Sequence, residues 1–103
     1  MHPLLAKSAH EILDGQLNDG RNNILKSPQL QKIEDKEAYF IAEPYDYAFE
    51  TNNIDNTWES YDRLERTMRR RRKKLFKAMN VDRISVTVYS DMEMLNTFYI
   101  IKE

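Results

Sequence analysis

Cysteine is absent from this chain, and that single absence removes disulfides, thiolate zinc sites and cysteine nucleophiles together. The lack fits a reducing compartment, so the expectation is an intracellular, cytoplasmic protein. Glycine occurs only at Gly15 and Gly20, too sparsely to build a loop that cradles a phosphate. No apolar run approaches the roughly 20 residues needed to cross a bilayer, which argues against a membrane partner. The stretch from Met1 to Lys7 lacks both the basic flank and the long apolar core of a signal peptide. Histidine is scarce too. His10 and Asp14 share a helix face, but no third ligand can be named, so neither a metal nor another cofactor is implied. Asp91 and Glu93 are acids without the carboxylate–carboxylate–lysine order of a metal-dependent nuclease, and no nucleophile elbow is present. A non-enzymatic protein is expected.

What the chain does have is enough apolar material for one modest core: 41% hydrophobic and 11% aromatic residues over 103 positions. One domain is expected, a helical segment over 1–33 followed by a ββαββ core over 34–103. In the helical segment, Leu5, Ala9, Ile12, Leu13 and Leu17 recur at helical spacing over residues 3–18. Ser27-Pro28 then reads as the cap and first position of a short helix through Ile33. Two strands follow, Ala38–Ala42 and Tyr45–Glu50, the second alternating Tyr45, Tyr47 and Phe49 with Asp46, Ala48 and Glu50.

The strongest pattern spans residues 57–79. Trp58, Tyr61, Leu64, Met68, Leu75, Phe76 and Met79 mark one side of a single helix roughly 34 Å long. Asn56 with Glu59 resembles a capping box, and Asn80 suits a left-handed terminus. Two more strands are expected: one carrying Ile84, Val86 and Val88, the other spanning Leu95–Lys102, apolar on both faces and therefore inner. The fold class is α+β, a small antiparallel sheet packed against one long amphipathic helix.

Charge is almost balanced overall but sharply segregated. Residues 34–62 hold nine acids against one base, Lys36, and residues 63–77 hold nine bases against one acid, Glu65. At 100° steps Arg63, Arg66, Arg70, Lys73 and Lys77 fall within an arc of about 80°, opposite the apolar stripe. Cations one turn apart suit a phosphate backbone, so nucleic acid is the leading expected partner. Basic helix faces are also commonly solvated or paired within the chain, and an acidic protein surface is the third candidate.

Arg72 is the exception to this segregation. It falls on the apolar arc between Met68 and Leu75, where a guanidinium must snorkel to water, meet a carboxylate or enter an interface. Tyr45, Asp46 and Tyr47 lie in an acid-and-tyrosine patch that could complement bases, although a sheet with its tyrosines inward gives the same alternation. These residues and Arg72 are the candidates for a partner interface, including a homodimer in which acidic and basic segments meet. The competing reading is thus a protein–protein adaptor or inhibitor.

Overall fold

The computed structural model describes residues 25–44, 54–90 and 93–102. Four strands and two helices follow in the order β1 (Gln29–Glu34), β2 (Glu37–Ala42), α1 (Ile54–Arg70), α2 (Arg72–Ala78), β3 (Arg83–Ser90) and β4 (Glu93–Ile101). The strands form one sheet in the order β1-β2-β3-β4. The class is α+β. The N-terminal helix expected over 3–18 and the strand expected over 45–50 lie outside the described residues.

The sheet is mixed rather than antiparallel. β1 and β2 form an antiparallel hairpin, as do β3 and β4, but β2 and β3 run parallel, with Ala38, Phe40 and Ala42 beside Ile84, Val86 and Val88. Two parallel neighbours need a crossover between them, and both helices lie in it. The chain leaves the end of β2, returns through α1 and α2, and enters β3 in the same direction. Treating the helix as a simple insertion between hairpins misses this return.

β1 replaces the short helix expected after Pro28, so strand structure begins inside the segment assigned to helix. Its apolar residues Leu30 and Ile33 are three apart, a helical spacing. The register with β2 shifts between Leu30 and Lys32, a bulge that lets a strand turn both residues inward. Leu30 is buried and Ile33 packs partly against the core. The turn to β2 places Asp35 and Lys36 at φ 51° and 62°, the backbone of a two-residue hairpin whose twist matches the strands. The Lys36 carbonyl accepts the amides of Asp82 (2.8 Å) and Arg83 (3.3 Å), which ties this turn to the start of β3.

The helical segment is not one rod. It breaks at Arg71, with φ −106° and ψ 20°. Two features locate the break. Arginines stand at 71 and 72, where the spacing of Leu64 and Met68 calls for the next apolar residue, and α2 resumes with buried Leu75 and Phe76. α1 begins at Ile54, so Asn56 lies within it rather than capping it. α2 ends with Met79 in an extended conformation, its amide bonded to the Leu75 carbonyl, and Asn80 is not left-handed.

Both helices cover one face of the sheet. Tyr61, Leu64 and Met68 of α1 and Leu75 of α2 join Phe40, Ile84, Val86, Phe98 and Ile100 in a single core. Side chains of this kind contribute roughly 1.5–3 kcal/mol each on burial. The Tyr61 ring meets Phe98 edge-on at 5.6 Å. Trp58, expected on the apolar stripe, is 42% exposed. β4, expected as an inner strand, stands at the edge of the sheet among the described residues, and its Met94, Tyr99 and Ile101 are exposed.

Candidate nucleic-acid interface

The break at Arg71 divides the expected basic face into two unlike halves. On α1, acids and bases alternate one turn apart. Arg63 lies 3.4 Å from Glu59, and Arg69 directs Nε (3.0 Å) and a terminal nitrogen (2.8 Å) to one oxygen of Glu65. Arg66 is exposed and its Nε donates to the Asp62 carbonyl oxygen at 3.4 Å. Pairs of this exposed or half-exposed kind contribute at most about 1 kcal/mol. Their electrostatic effect is larger than their energetic one, because each carboxylate cancels a cation locally. Arg66 and Arg69 share a shallow depression with Asp62 and Glu65, a surface of mixed sign.

Tyr61 reports the same local field. Its hydroxyl pKa is raised above the usual tyrosine value, first by burial and then by the negative charges of Glu65 and Asp62, with Arg69 acting in the opposite direction.

The second half carries no acid of its own. No acid occurs between Glu65 and Asp82, while Arg72, Lys73, Lys74 and Lys77 all belong to α2. Lys73 and Lys77 are exposed and one turn apart, an arrangement that destabilises a helix by a few tenths of a kcal/mol. Arg70, exposed at the end of α1, extends the same charge.

The two elements then meet in a pocket. Arg72, Lys73, Phe76 and Lys77 of α2 and Lys102, the residue after β4, line a surface cavity of about 260 Å³. Three of them are anchored by the fold. Phe76 is rooted in the core and only 8% exposed. Lys102 donates its backbone amide to the Asp82 carbonyl at 2.9 Å, which docks the end of β4 beside the start of β3. Arg72 is half-buried, and its guanidinium donates to the Arg69 carbonyl oxygen at 3.0 Å. That carbonyl lies in the last turn of α1, where helix carbonyls need partners from outside the helix. The break therefore gives Arg72 a polar contact on what would otherwise be an apolar stripe.

Of the expected contact residues, Lys73 and Lys77 fall in the pocket, Arg66 and Arg70 stand on the exposed surface of α1, and Arg63 is turned to Glu59. Tyr45, Asp46 and Tyr47 lie outside the described residues. Two pocket residues were not among the contact residues expected from the sequence. Phe76 has the spacing of a core residue and is one, and Lys102 is 25 positions from Lys77 with no local pattern to connect them.

The sheet face opposite the helices carries a smaller polar-aromatic surface. Lys32 sits 4.8 Å from the Tyr39 ring centre, and Arg83 lies 4.1 Å from that of Tyr99 while pairing with Glu37 at 3.3 Å. Here the cations are engaged with rings and an acid. Among the described residues no three acidic or histidine side chains gather as they would for a metal ion, and no helix is long and apolar enough to cross a membrane.

Comparison with protein-family models, with curated proteins and with solved structures finds no match for this chain.

Proposed function

We propose that the protein is a non-enzymatic nucleic-acid-binding protein, contacting phosphates with α2, Lys102 and the exposed bases at the end of α1. The observation that carries this reading is the convergence of Arg72, Lys73, Lys77 and Lys102 from two separate elements on one pocket. A solvated basic helix needs no such convergence. Keeping like charges together runs against the fold's own electrostatics, a local conflict of the kind functional surfaces retain. Binding of this type releases counterions, so affinity falls steeply with salt, by about 0.9 in log K per log salt for each phosphate contacted on duplex DNA.

The test compares two variants. Replacing Lys73, Lys77 and Lys102 together by Gln should reduce the salt slope by about two to three contacts. Replacing Arg63 and Arg66 by Gln should reduce it by about one or less, because Arg63 already faces Glu59. Absence of binding to single- or double-stranded DNA or RNA at about 50 mM salt would remove the reading, since electrostatic binding is strongest there.

A protein–protein role is the second reading, favoured by one specific feature. Among the described residues β4 stands at the edge of the sheet with Met94 and Ile101 exposed, the arrangement through which sheets add a further strand. On this reading two copies meet along β4, and sedimentation equilibrium would show a mass that rises with concentration.

A further inference from the structure

The pocket between α2 and the end of β4 combines four cationic residues with one aromatic side chain. Resting on the nucleic-acid reading above, we infer that it receives the phosphomonoester end of a nucleic-acid strand rather than an internal phosphodiester.

Four observations lead there. An internal phosphodiester carries one negative charge, whereas a terminal phosphomonoester carries about 1.5 to 2 near neutral pH and offers three terminal oxygens. Lys73, Lys77 and Lys102, with Arg72 beside them, bring more positive charge to one pocket than a single phosphodiester balances. The cavity, about 260 Å³, is close to the lower end of small-molecule pockets and larger than a bare phosphate needs. Phe76 gives it one apolar wall, suited to the sugar or base of a terminal nucleotide. The Arg72 guanidinium is braced on the Arg69 carbonyl and the Lys102 backbone on Asp82, so two of the four cationic residues are anchored before a ligand arrives.

The experiment uses the full chain and short single-stranded DNAs of one sequence, either 5′-phosphorylated, 3′-phosphorylated or hydroxyl-ended. A hydroxyl-ended strand about two nucleotides longer matches the total charge of a phosphorylated one. At least one phosphorylated end should bind about tenfold more tightly than the charge-matched control, the effect of one added charge-assisted contact. Lys102→Gln should erase that preference, whereas Arg66→Gln, outside the pocket, should weaken all strands alike and keep it. A nucleoside monophosphate should compete better than inorganic phosphate. Equal binding of all ends overturns the end-specific site while leaving general nucleic-acid binding intact, and no binding by any strand overturns both. A preference that survives Lys102→Gln places the site elsewhere. Competition by inorganic phosphate equal to that of the nucleoside monophosphate marks a free-phosphate site instead.

Discussion

The two helices of the crossover lie on the same sheet and are both rich in cations, yet they differ in what those cations meet. α1 contains four acids and four bases, and two of its arginines are turned toward carboxylates one turn earlier. α2 contains four bases and no acid. A count of positive residues would rate the two alike. What separates them is the spacing of opposite charge. Acids one turn from its arginines give α1 a balanced, self-paired surface, whereas α2 brings only positive charge of its own. A charge stripe drawn along one uninterrupted helix merges these two surfaces, and the break at Arg71 separates them further.

The largest effect tests whether α2 is as firmly rooted as α1. Leu64 and Leu75 are 2% and 0% exposed, one in each helix. Truncating either to Ala should destabilise the protein by about 2–5 kcal/mol in denaturant unfolding. A loss below about 1 kcal/mol at Leu75 alone would show that α2 is an appendage, and the comparison between equal partners would fail.

Arg72→Met addresses the junction. It removes the contact with the Arg69 carbonyl but keeps the apolar stem, so the expected loss is about 1 kcal/mol for this half-buried site. The same variant should also weaken nucleic-acid binding. Unchanged stability would mean that the carbonyl contact does not support the break between the helices. Sedimentation of the wild type and this variant would show whether Arg72 also contributes to association between chains.

Glu65→Gln should have the smallest effect on stability, within about 1 kcal/mol, because the pair with Arg69 is partly exposed. Its value lies in making α1 more like α2. With Arg69 released, nucleic-acid binding should strengthen at low salt, two- to threefold by the loss of about one opposing charge. The substitution also removes one of the charges that raise the Tyr61 hydroxyl pKa. A raised pKa in the folded state stabilises the fold fully below the unfolded tyrosine value near 10, and that stability is lost as pH rises through the folded value. The alkaline loss of stability should therefore be shallower in Glu65→Gln, as followed by unfolding at several pH values above neutrality.

How much of this was legible before folding differs from element to element. The runs at 38–42 and 84–88 and the apolar positions Tyr61, Leu64, Met68 and Leu75 are readable because each periodicity has one interpretation. β1 was hidden by its bulge, which gives Leu30 and Ile33 a helical spacing. β4 misled in another way. Its outward residues are apolar, and Arg83 lies over Tyr99, so the strand resembles an inner one while standing at the edge. In the candidate site, Lys73 and Lys77 were visible as part of a basic run. Phe76 was visible only as a core residue, and Lys102 carried no signal at all.

The sequence by itself determined the α+β class, the segregation of charge and the apolar faces of the helices, because these depend on residues close together along the chain. Tertiary structure decided the parallel pairing of β2 with β3, the edge position of β4 and the meeting of Lys102 with α2. Those three outcomes depend on which surfaces cover one another after the crossover closes. Sheet order sets them: once β3 lies beside β2 and β4 beside β3, the end of β4 must come to rest next to α2, whatever the intervening sequence separation.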